Sequence, residues 1–282
     1  MDALTATLTI IFLITTMAAI GLKVTVGELI ESFDSRSLMV RSLLVNIIIA
    51  PLLGLVLVKI FPVGPDAAAG LILLAAAPGG LNAIQFTSKT RDALCYAASL
   101  LFVLTFLAVV ISPFIAAFLI PLHTQLTLPF GKVVVFLFLF VLLPLMAGLA
   151  IGRISRQLAE VLSNPVSLVG TVAFVAVVIL MLAQRRQAMS AFGKVEIAVM
   201  LGFIILMMVI GWFLGGPSHE NRRVLATASS MRNAGLCFIL ATNGFPNSDV
   251  LAAVVAFSGL MIFPNLLLTL YSIIKAKKSR GA

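Results

Sequence analysis

Apolar runs of about twenty residues follow one another along almost the whole chain, separated only by short turns such as Phe61-Pro62-Val63-Gly64-Pro65-Asp66 and Gly244-Phe245-Pro246-Asn247. Each run is long enough to cross a bilayer as a helix. Nine candidates can be drawn, at 3–22, 37–61, 66–88, 91–120, 130–152, 165–184, 195–215, 222–243 and 248–274. Of the 282 residues, 61% are hydrophobic and 10% charged. A soluble domain of this size has too little interior to hide that much apolar surface. The expected fold class is therefore an all-α polytopic membrane protein, and the runs leave no room for an extramembrane domain. The first run has no basic segment ahead of it, so it reads as a retained span rather than a signal peptide.

The net charge of +9 would raise nucleic acid as a partner in a soluble protein, but here the basic residues sit at the ends of apolar runs. The partner they imply is the lipid bilayer, and no nucleic acid is expected. With a cytoplasmic C-terminus, thirteen Lys and Arg fall on the cytoplasmic side: Lys23, Arg36, Arg41, Lys89, Arg91, Arg153, Arg156, Arg222, Arg223, Lys275, Lys277, Lys278 and Arg280. Five fall outside, Lys59, Lys132, Arg185, Arg186 and Lys194. That asymmetry predicts a multi-pass protein of a bacterial inner membrane with its N-terminus outside. Cys95 and Cys237 match no metal or redox spacing and read as core residues. His123 and His219 lie in connections. Neither an HExxH nor a GxSxG pattern occurs, so no enzyme, metal or cofactor is expected.

Two runs are broken in the middle. Ala77-Pro78-Gly79-Gly80 interrupts 66–88, and Ser229-Ser230-Met231-Arg232-Asn233-Ala234-Gly235 interrupts 222–243. Proline removes a backbone donor and glycine loosens the chain. Unpaired backbone at bilayer depth survives only inside protein or beside a cavity. One interrupted helix in each half of a chain points to a transporter site built on inverted repeats; the alternative is a proline kink and a small-residue packing patch. Non-helical backbone is predicted near Pro78–Gly80 and near Ser229–Asn233, with the two breaks crossing. The half-helices starting near Leu81 and Asn233 would aim positive dipole ends at the midplane, an arrangement that favours anions. Asn82, Gln85, Ser229, Ser230 and Asn233 supply uncharged polar groups beside them.

Arg232 would sit at the midplane, where a charge is expensive. All ten acids lie at run ends or in connections, so its partners are expected to be carbonyls, waters or an anionic substrate.

Three segments carry a family resemblance: Ala77-Pro78-Gly79-Gly80; Leu142-Leu143-Pro144-Leu145-Met146-Ala147-Gly148-Leu149; and Met231-Arg232-Asn233-Ala234-Gly235-Leu236, with Pro113 at a fitting distance. Together they resemble the bile acid:sodium symporter family over nearly the whole chain. Met17-Ala18-Ala19-Ile20-Gly21-Leu22 looks like part of the second helix of ten-helix members, which leaves their first helix unmatched. The resemblance implies an inverted-repeat fold in which a core, 37–120 plus 195–274, carries two crossed broken helices and moves against a panel, 3–36 plus 130–190.

The family's sodium ligands are not retained. The positions matching the side chains of one sodium site read Ala83, Ile84, Ala97, Leu101 and Ala228 here. Those of the second read Ala228, Asn46 and Arg232. A guanidinium offers no oxygen to an ion and repels it. The resemblance implies substrate contact for Asn233 and Asn265, against the alternative of helix–helix hydrogen bonding. The expected function is a secondary transporter of a small organic anion by alternating access, not coupled to sodium through the usual side chains. A sodium-coupled symporter using backbone carbonyls and a non-transporting binding or sensing protein are the alternatives.

Overall fold

The computed structural model describes residues 3–25, 27, 36–80, 91–120, 130–184, 192–245 and 248–280. These are helical almost throughout. Helix α1 is Ala3–Lys23 and α2 is Arg36–Ile60. Helices α3, Pro65–Ala75, and α4, Arg91–Leu119, follow. Helix α5 comprises Phe130–Leu137, a π turn Phe138–Leu142 and Leu143–Ile154, and α6 is Arg156–Gln184. The remainder is α7, Lys194–Leu214; α8, His219–Ser230; α9, Ala234–Gly244; α10, Val250–Leu260; and α11, Ile262–Arg280.

Among the described residues, eight helical stretches are long and apolar enough to cross a membrane, and they fall on eight of the nine expected runs. Only the first half of the remaining run, 66–88, is described, as α3; residues 81–90, with Asn82, Ala83, Ile84, Gln85 and Lys89, lie outside the described residues, as do Arg185 and Arg186. The sixth helix begins at Arg156 rather than at 165. Its first turns are polar and held by the Arg156–Glu160 pair at 3.1 Å, and Pro165 is carried inside the helix instead of starting it.

Two π turns have one cause. Pro51 follows the turn Val45–Ile49, and Pro144 follows Phe138–Leu142. A proline has no N–H for the carbonyl behind it, and the helix absorbs the loss by widening one turn. In α2, Ala50 N–H reaches back to Val45 O.

Helix α1 lies between α5 and α6. Gly21 and Gly148 form its closest approach, where a Cβ on Gly21 would lie 3.0 Å from Gly148 Cα and one on Gly148 would lie 2.9 Å from Leu22 N. Small residues let membrane helices touch backbone to backbone. A second group packs α7 on α8 and α3 on α10. Phe12 of α1 meets Phe174 of α6 at 5.1 Å within the first group, and reaches out of it to Phe238 of α9 at 6.4 Å between ring centroids. Phe114, Phe118, Val172 and Phe213 are exposed, as lipid-facing side chains are. The stretch His219–Gly244 is the least apolar of the eight, and its residues 224–241 are all buried, which is what lets a broken, polar helix exist at that depth.

Candidate substrate site at the helix crossing

Among the described residues the backbone leaves the helix at both predicted places, and the two places meet. Helix α3 ends at Ala75, and Ala77–Gly80 run without helical structure. In a continuing helix Leu74 O would accept from residue 78, but Pro78 has no donor. Gly79 takes φ +91°, a conformation suited to glycine. Helix α8 ends at Ser230, and Met231–Asn233 are non-helical before α9 starts. The second break is therefore narrower than its sequence suggests, because Ser229 and Ser230 remain helical. Asn233 N–H donates to Ala77 O at 2.9 Å, tying one break to the other. Gly80 faces the same backbone: a Cβ there would lie 2.7 Å from Arg232 O and 2.9 Å from Met231 O.

Arg232 is 2% exposed, and all its side-chain donors are engaged. Nε donates to Leu74 O at 2.9 Å. Nη1 donates to Asn46 Oδ1 at 2.9 Å and Ser229 O at 3.5 Å. Nη2 donates to Ala75 O at 2.6 Å and Asn46 O at 3.2 Å. A guanidinium has five N–H groups, so none remains for a bidentate pair with a carboxylate in this conformation. Of the partners expected for it, carbonyls are the ones the structure supplies. Two of them, Leu74 O and Asn46 O, stand where a proline withholds its N–H. Leu74 and Ala75 end α3 ahead of Pro78. Asn46 O would look to Pro51 for a π-type bond, and Pro51 has no N–H to give.

The other expected polar residues divide into two groups. Ser229 Oγ accepts from Asn46 Nδ2 at 3.3 Å, and Ser230 Oγ donates to Asn265 Oδ1 at 2.9 Å. Asn265 Nδ2 donates to Met261 O at 2.9 Å. These three residues are fully buried and hydrogen-bond between helices. Asn233 differs. Its Oδ1 caps α9 by accepting from Leu236 N at 3.1 Å, while its Nδ2, also buried, has no partner among the described residues.

That amide borders a cavity of about 20 Å³, whose wall includes Phe12, Thr16, Phe174, Gly80, Asn233 and Ser258. The space holds a water and nothing larger. Thr16 Oγ1 is a second buried polar atom without a partner there. Helices α1 and α6 form one wall, and the crossing with α10 forms the other. Sequence reasoning missed Thr16 and Ser258. A signal for Thr16 existed: Thr5, Thr9 and Thr16 fall at helical spacing on the buried face of the first span.

Of the positions matching sodium ligands, Ala97, Leu101 and Ala228 lie in an apolar cluster with Met39, Leu100, Val224 and Leu225. No group of acids, His or Cys able to hold a metal occurs among the described residues.

The profile of the Sodium Bile acid symporter family matches residues 10–192. The chain belongs to this family. It is 27% identical over 201 residues to an uncharacterized sodium-dependent transporter of Bacillus subtilis, covering 67% of this chain and 60% of that protein. It is 25% identical over 244 residues to a probable chloroplastic sodium/metabolite cotransporter of Arabidopsis thaliana, covering 85% of this chain and 60% of that one. A mouse protein named P3 is 28% identical over 145 residues, half of this chain and 30% of its own length. The chain thus spans about 60% of the length of the first two relatives.

Proposed function

We propose that the chain is a secondary carrier of a small organic anion, working by alternating access and not coupled to sodium through its family's usual side chains. The observation that carries this reading is the charge at the crossing. Arg232 is a buried cation whose hydrogen-bond partners are all uncharged oxygens, and its residue forms part of the cavity wall. Beside it stand the N-terminus of α9 and the free donor Asn233 Nδ2. A net positive field in a low-dielectric site draws an anion, and it does so without direct contact.

The moving parts are the panel, 3–36 plus 130–190, and the core, 37–120 plus 195–274. The cavity lies on the seam between them, and the phenylalanines Phe12 and Phe174 give the anion an apolar body. The chain lies in a bacterial inner membrane with its N-terminus outside and C-terminus cytoplasmic, as the Lys and Arg distribution favours.

The relatives' names favour a second reading, a sodium-coupled symporter. Uptake of candidate organic anions by proteoliposomes separates the two. Uptake is expected to run down the anion gradient and to be unchanged when K⁺ replaces Na⁺ at equal ionic strength. A steep, saturable dependence on Na⁺ would establish the second reading instead.

A further inference from the structure

The oxygens around Arg232 form a binding site in their own right. Leu74 O, Ala75 O, Ser229 O and the two oxygens of Asn46 converge on one side chain at 2.6 to 3.5 Å. They come from three elements, α2, α3 and α8, and every contributing residue is fully buried. Five partial negative charges facing one another without a cation would repel, and the carbonyls would lose the guanidinium in a place water does not reach. They also follow the shape of what they hold. Guanidinium N–H bonds lie in one plane and fan outward, so their acceptors form a rim around a flat cation. A bare Na⁺ at the centre of that rim would stand too far from the oxygens to touch them together. An ammonium, with three donors on one nitrogen, could serve only part of the rim.

We infer that this rim is a guanidinium-class cation site whose resident ligand is the side chain of Arg232. The side chain is a tethered, non-exchangeable cation that locks α2, α3 and α8 together at the crossing. Cutting the tether leaves a site for free guanidinium. The inference bears on the proposed function, since a permanent cation here removes the need for an exchangeable one. It is tested without any organic anion, so the failure of one leaves the other standing.

The experiment is thermal unfolding of purified Arg232→Ala in detergent, with millimolar guanidinium chloride, NaCl, KCl or choline chloride at equal ionic strength, and with urea as the neutral analogue of the same shape. A ligand that binds only the folded state raises the melting temperature saturably. Arg232→Ala is expected to melt well below wild type and to recover part of the loss in guanidinium alone. Wild type should gain nothing from it. Equal effects of guanidinium, Na⁺ and urea, or a larger effect of Na⁺, would overturn the site. Should Arg232→Ala fail to fold in every salt, two variants that keep Arg232 decide the matter. Asn46→Asp places a carboxylate on the rim and should melt at or above wild type, while Asn46→Leu should melt below it. Asn46→Asp melting as low as Asn46→Leu would show that the rim does not hold a cation.

Discussion

Asn233 divides its amide between two tasks. The oxygen caps α9, and the nitrogen borders the cavity without a partner. Asn233→Asp separates them. An aspartate oxygen still accepts from Leu236 N–H and suits the positive end of a helix, so stability should stay within about 1 kcal/mol of wild type. The donor is lost, however, and a negative charge is put where an anion is to bind. A hydrogen bond to a charged group is worth about 1.5–3 kcal/mol, so affinity for the transported anion should fall at least tenfold. Unchanged anion binding in folded Asn233→Asp, read by thermal shift or uptake, would remove Asn233 from the site. Arg232, one residue earlier, differs in kind. With every N–H committed to protein oxygens, it contributes to anion binding through its field and to the crossing through its bonds.

Among elements, the two breaks differ in how plainly the sequence announces them. Pro78-Gly79-Gly80 acts through its own backbone: a donor is missing and two residues lack a Cβ, so the interruption is legible from three letters. The second break has no such device. Ser229 and Ser230 look like loop residues, yet both stay helical because their hydroxyls find Asn46 and Asn265 on other helices. What narrowed the break to Met231–Asn233 was tertiary. The same holds for Arg232. That it would be buried, and that no acid was at hand, could be read from one chain. Its acceptors could not, since Ala75 and Asn46 stand 157 and 186 residues away. Gly80 tests the crossing as a unit. Its missing Cβ is the space into which the backbone of Met231 and Arg232 fits, and backbone cannot rotate aside as a side chain can. Gly80→Ala should therefore lower the melting temperature, by an overpacking cost of about 1–3 kcal/mol, and abolish uptake. Gly131→Ala, where a Cβ meets nothing within 4 Å, should do neither. Wild-type stability and uptake in Gly80→Ala would mean the breaks do not need to touch.

At the scale of the whole molecule, orientation rests on thirteen Lys and Arg against five. A reporter active only in the cytoplasm, fused ahead of Asp2, is expected to stay silent, and the same reporter after Ala282 to be active. A signal at the N-terminus would reverse the assignment of sides while leaving the fold as described.

Motion is the larger question, because the cavity of about 20 Å³ is too small for any organic anion. An anion that binds there must part the two walls. On one side stands α1, held to α5 by the contact of Gly21 with Gly148 and packed along α6; on the other stands α9. They touch at Gly235, where a Cβ would fall 2.5 Å from Leu13 Cδ2 and 3.1 Å from Phe12 Cε1. A covalent bridge at this point should hold the proposed panel and core together and leave each intact. In a background with Cys95 and Cys237 replaced by alanine, Leu13→Cys with Gly235→Cys should bridge on oxidation or with a short bifunctional thiol reagent. Bridged protein should retain its melting temperature or raise it, because the bond joins surfaces already in contact. Its uptake should stop, and reduction of the disulfide form should restore it. Each single-cysteine variant should transport in both states. Full uptake by quantitatively bridged protein would show that α1 and α9 move as one body, and that the boundary between moving parts lies elsewhere than along this cavity.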